Sequence, residues 1–109
     1  MKCPYCQTET PVYNEGSLIQ SYYCNKGVNC HVLWEIFTDG RPYRTYVYFK
    51  LPVKNVNRDL VFYIDHQTQT SQVYYHANKL TDKLFELSHV PNWTPSNLAQ
   101  EVKKVLAFL

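Results

Sequence analysis

Four cysteines are the residues of this chain best suited to chemistry, and all of them lie within the first thirty positions. They form two arms, Cys3-Pro4-Tyr5-Cys6 and Cys24 to Cys30, with seventeen residues between the arms and five inside the second. A Cys-x-x-Cys turn presents two sulfurs from one tight loop, and two such arms supply the four soft ligands that a tetrahedral Zn²⁺ takes. The second arm is longer than the usual two to four residues. Asn25, Gly27 and Asn29 tolerate left-handed backbone, so that arm can still curl back on itself. His31 stands as the spare ligand if Cys30 points away. Four thiolates close the coordination shell and leave no position for water, so the expected zinc is structural and not catalytic.

Two other readings of the cysteines are weaker. Buried thiols account for single cysteines but not for two clustered pairs. Cys3-Pro4-Tyr5-Cys6 shares its four letters with the glutaredoxin active site, whose chemistry needs the first cysteine at a helix N-terminus. Only Met1 and Lys2 precede it here, and the segment that follows ends at Pro11.

No catalytic constellation assembles from the remaining residues. Asp65-His66 lacks the partners of a metal nuclease, and His66, His76 and His89 are scattered over a hairpin and a loop. The nine carboxylates form no spaced pair. There is no glycine-rich phosphate loop and no nucleophile elbow. With all four cysteines committed to metal, no thiol is left for nucleophilic work. An enzyme with an unrecognised site is the least favoured reading.

A second feature lies in residues 41–58, which hold Arg41, Arg44, Lys50, Lys54 and Arg58 and no acid. Tyr43, Tyr46, Tyr48 and Phe49 are interleaved with them. As a strand, residues 44–51 place Thr45, Val47, Phe49 and Leu51 on one face, and Arg44, Tyr46, Tyr48 and Lys50 on the other. The first face reads as core. The second could stack bases between phosphate-binding cations, or anchor a protein interface, where tyrosine and arginine are enriched. It could equally be a plain solvent face, since tyrosine favours strands. Neighbouring strands would add Glu35, Tyr63, Tyr74 and His76 if the register allows. A net charge of +2 favours a protein partner over nucleic acid. The expected partner surface is therefore Arg41, Tyr43, Arg44, Tyr46, Tyr48 and Lys50.

Positioning these residues requires a small mixed fold. At 109 residues the chain is one domain, with 45% hydrophobic and 18% charged residues, which excludes disorder and a coiled coil. Residues 1–31 read as a zinc-binding hairpin. Residues 32–77 read as antiparallel strands, with a strong turn at Asp39-Gly40 and a strand that Pro52 stops. Leu84–Leu87 is a further strand or a helical turn. Residues 94–109 read as a helix, with Thr94 as N-cap, Pro95 in the first turn, and Leu98, Val102, Val105, Leu106 and Leu109 as its apolar stripe. The expected class is α+β: an antiparallel sheet, an N-terminal zinc-ribbon-like knuckle and one C-terminal helix packed on one face. No apolar run is long enough for a membrane span and no signal-peptide pattern follows Met1, so a cytoplasmic location is expected.

The Cys3–Cys6 and Cys24–Cys30 arms with hairpin strands between them resemble a zinc ribbon. Phe62–His76 and the run from Leu84 through Trp93 into a short terminal helix resemble small proteins of tailed phages. That second resemblance implies an accessory protein that regulates or inhibits a host protein complex from within the host cytoplasm. It implies no catalytic residues. A nucleic-acid-binding module using residues 41–58 is the alternative.

Overall fold

The computed structural model describes residues 1–26, 30–76, 83–94 and 96–108. Gly27, Asn29, Pro95 and Leu109, to which the sequence assigns roles in the second arm and the helix, lie outside the described residues.

Seven strands form one antiparallel sheet in the order in which they occur: β1 (Val12–Glu15), β2 (Ile19–Cys24), β3 (Val32–Phe37), β4 (Pro42–Val53), β5 (Val56–Asp65), β6 (Thr70–Tyr75) and β7 (Lys83–Leu87). One helix, α1 (Leu98–Ala107), follows. A meander of this kind needs only tight turns between neighbours. The β1–β2 turn closes with the Gly16 N–H donating to the Ile19 carbonyl at 3.0 Å. A Cβ at Gly16 would stand 2.7 Å from that carbonyl oxygen, so the turn needs glycine. Between β3 and β4, Gly40 takes a φ of 95°.

The longest hairpin differs from the sequence reading. β4 runs through Pro52 to Val53, and Val53 pairs with Val56 across a two-residue turn. Both turn residues, Lys54 and Asn55, are left-handed, with φ of 51° and 66°. Pro52 is tolerated because alternate β4 residues direct their N–H groups to opposite sides. Tyr48 donates toward β3, to the His31 carbonyl at 2.8 Å, and Pro52 has the same parity. Its missing donor would therefore have pointed away from β5.

The register sorts the side chains onto two faces. On one, Tyr22, Cys24, Val32, Trp34, Thr45, Val47, Leu51, Leu60, Phe62, Ile64, Ser71, Val73 and Phe85 are buried. Leu98 and Val102 of α1 and Cys3 and Cys30 of the N-terminal knuckle belong to the same core. Two covers, knuckle and helix, thus share that face. The helix begins later than the sequence suggests. Thr94 does not cap it; its hydroxyl is spent on Ser96 at 2.8 Å, and its carbonyl accepts from the N–H groups of Asn97 and Leu98. Asn97 occupies the N-cap position without a side-chain cap bond. Its Oδ1 instead accepts from the Thr94 N–H at 2.7 Å.

Candidate functional site

The knuckle is a turn that folds straight back. The Cys3 N–H donates to the Thr8 carbonyl at 2.9 Å and the Gln7 N–H to the Cys3 carbonyl at 3.0 Å. Gln7 sits at φ 62°, a position that glycine takes most cheaply. The turn therefore forms without the glycine that usually follows such a pair. Thr10, almost fully buried, donates its hydroxyl to the Thr8 carbonyl at 3.0 Å. The knuckle rests on the sheet through Met1, whose Sδ accepts from Trp34 Nε1 at 3.5 Å. Trp34 in turn stacks on Tyr22, with ring centroids 5.4 Å apart.

The second arm starts at the end of β2, where Cys24 pairs with Val32, and returns at Cys30 just before β3. The four sulfurs lie within 4.8 Å of one another, an arrangement that could hold a metal ion. Individual separations are 3.4 Å for Cys6–Cys24, 3.6 Å for Cys3–Cys30 and 3.9 Å for Cys24–Cys30. A tetrahedron with metal–sulfur bonds of about 2.3 Å has edges of about 3.8 Å. Disulfides need about 2.05 Å. These separations lie near that edge length and well beyond a disulfide bond. Cys30 completes the cluster with its own sulfur, while His31 is exposed and holds β4 through its carbonyl.

Electrostatics distinguish the four positions. Burial pushes the Cys3 and Cys30 thiols above their ordinary range. Cys6, only half-buried, is lowered to about 6, chiefly by the Thr8 hydroxyl, whose Oγ1 lies 3.2 Å from its sulfur. Nothing in the sequence marked Thr8 or Gln7, because neither is a metal-ligand type.

The opposite sheet face carries the tyrosines. Across the strands run Tyr23, Leu33, Tyr46, Tyr63 and Gln72, each opposite the next. A parallel row holds Tyr48, Val61 and Tyr74. Tyr46 meets Tyr63 edge to face at 5.1 Å, and Tyr48 meets His76 at 5.0 Å. Val61 is fully buried and Tyr74 nearly so, yet neither belongs to the main core. Neighbouring side chains on their own face shield them. No other helix or strand among the described residues packs on this face.

Of the residues singled out from the sequence, Tyr46 and Tyr48 lie within these rows and the others fall at the two ends of the face. Arg41 and Arg44 flank a pair of rings: Arg41 lies 4.8 Å from the Phe37 ring, Phe37 4.9 Å from Tyr43, and Arg44 4.5 Å from the Tyr43 ring. Arg41 is also paired with Asp39 at 2.8 Å. Lys50 is exposed at the far end, opposite Asp59. Arg44 is flanked in register by Glu35 and Asp65. A stretch that is purely basic along the chain is thus interleaved with carboxylates once folded. Tyr23, Leu33 and Phe37 also belong to this face; a register derived for β2 and β3 would have found them.

No family model matches this chain, and neither does any curated protein or solved structure. Among the described residues, no helix is long and apolar enough to cross a membrane.

Proposed function

We propose that this protein is a zinc-stabilised, non-enzymatic binding module, in which a structural zinc clamps the knuckle to one face of the sheet while the opposite, tyrosine-covered face receives a protein partner. The observation that carries this reading is the row Tyr23–Leu33–Tyr46–Tyr63, lying on a face over which no other helix or strand of the described residues packs. Tyrosines give large contact area at low side-chain entropy cost. Zinc is favoured over other ions because four thiolates and no oxygen ligand suit it, and because a closed shell serves folding and not catalysis.

The mixed charge of the face favours protein over nucleic acid. Phosphate binding calls for an uninterrupted basic surface, and here Glu35, Asp59 and Asp65 stand beside the cations in register. The phage-accessory role, action on a host complex and a location in the host cytoplasm belong to this proposal as implications of the resemblance to tailed-phage proteins.

Elemental analysis of the purified protein should find one zinc per chain. Affinity capture from host lysate should retain a protein that is lost with Tyr46→Ser/Tyr48→Ser and kept with Lys103→Ser on the helix. Binding that instead falls steeply with salt and follows a labelled oligonucleotide would replace this reading with the nucleic-acid one.

A further inference from the structure

The four cysteines are unequal in a way that bears on oxidation. Cys3 and Cys24 are 0% exposed and Cys30 1%, while Cys6 alone is half-buried. Cys6 also sits in a short turn beside left-handed Gln7, whereas Cys24 is fixed in the ladder opposite Val32. The Cys6 and Cys24 sulfurs stand 3.4 Å apart, and Cys3 and Cys30 form a second close pair at 3.6 Å.

We infer that the cluster is a peroxide-sensitive clasp, in which Cys6 is oxidised first and is resolved by Cys24 rather than by Cys3, its neighbour in the Cys-x-x-Cys turn. The inference rests on the metal-site reading above. An oxidant arriving from solvent reaches only Cys6. Its thiolate attacks hydrogen peroxide; an S–O bond forms, the O–O bond breaks, and hydroxide leaves, giving a sulfenic acid. The Cys24 thiolate then attacks the Cys6 sulfur; the S–S bond forms, the S–O bond breaks, and a second hydroxide leaves. Two electrons from the two thiolates reduce one peroxide to two hydroxides, which take up protons as water. The sulfurs need to close by only about 1.4 Å to reach disulfide length.

Removing two of four ligands frees the metal, but the new bond joins the knuckle to β2. The oxidised knuckle therefore stays on its sheet face, whereas a Cys3–Cys6 disulfide would tie the knuckle to itself and let it leave. This makes the oxidised state different from the chelated one, although both lack metal.

The test uses the wild-type chain with its metal content measured beforehand by elemental analysis. Hydrogen peroxide is added in steps, released metal is read with a chromogenic chelator, early samples are trapped with dimedone, and disulfides are mapped by peptide mass. The expected result is a dimedone adduct on Cys6 and then one Cys6–Cys24 disulfide per metal released. A first disulfide at Cys3–Cys6, an adduct spread evenly over the four cysteines, or metal loss without a disulfide would each overturn the inference while leaving the metal reading intact. Protein free of metal before oxidation would overturn the metal reading itself.

Discussion

Both faces of this sheet are built by the same strands, with alternate residues of each strand going to each side, yet the two faces are solved differently. Val47 and Phe62 pair across β4 and β5 on one side and are almost fully buried. Their immediate neighbours Tyr46 and Tyr63 pair on the other and remain half-exposed. The covered face is closed by elements from both ends of the sequence, the knuckle and the helix. Among the described residues the tyrosine face is covered by its own side chains, with Tyr46 edge to face on Tyr63 and Tyr48 on His76. A small chain can thus cover one side with separate elements and give the other an aromatic surface whose own rings pack on one another.

The largest expected effect comes from the metal. Ligation free energy doubles as folding free energy in small metal domains, on the order of 10 kcal/mol in finger peptides, which matches or exceeds the whole stability of a typical domain. Chelation should therefore release the knuckle and expose Trp34. Hydrogen exchange should rise over residues 1–26 well before it rises in β4 to β6. Uniform exchange with and without chelator would show that the covered face does not depend on the cluster.

The helix is the second cover. Val102 is fully buried in the core, and Val102→Asp would leave a carboxylate there without a partner, at a cost of about 4 kcal/mol. A fall in the thermal midpoint by well over ten degrees is the expected reading, taking roughly 4 °C or more per kcal/mol for a chain of this size. An unchanged midpoint would mean that the knuckle alone holds that face.

How much of this was legible in the sequence depends on where the signal was local. The two cysteine arms, the Asp39-Gly40 turn and the alternation of Arg44 to Leu51 could be read because spacing and period carry them. The turn at Lys54-Asn55 was hidden because neither residue is glycine, and Pro52 read as a stop because strand parity is not written in a single strand. The start of the helix shifted because the Asn97 amide reaches back to the Thr94 N–H, which propensity does not foresee. Above all, the charge of the tyrosine face could not be read along the chain. Glu35 and Asp65 come into register beside Arg44 only through the pairing of three strands.

A matched pair of truncations sharpens the contrast between the faces. Phe62→Ala on the covered face should cost about 4 kcal/mol, within the usual range for a fully buried ring. Tyr63→Ala, at the next position on the other face, should cost about 2 kcal/mol, from one edge-to-face contact and partial exposure of Val61. Urea midpoints of the two variants measure the ratio. Equal losses would show that the tyrosine face is core in solution, covered by a partner or a second copy, and would remove it as a free binding surface.

The smallest effect is in the alkaline range. Burial raises the phenol of Tyr74 to about 12 and also raises those of Tyr46, Tyr48 and Tyr63, again first through burial. An unfolded tyrosine ionises near about 10. The folded state thus holds these protons more tightly than the unfolded state does. The stability they contribute is fully present below pH of about 10 and is lost as the pH rises toward 12. Phenolate absorbance followed through that window should show a late class of tyrosines whose ionisation coincides with unfolding. Tyr74→Phe should remove one phenol from that class, since the side chain that replaces it cannot ionise. If every phenol instead titrates at the ordinary value with the fold intact, water reaches the rings freely, and the self-shielding that sets this face apart from the covered one does not exist.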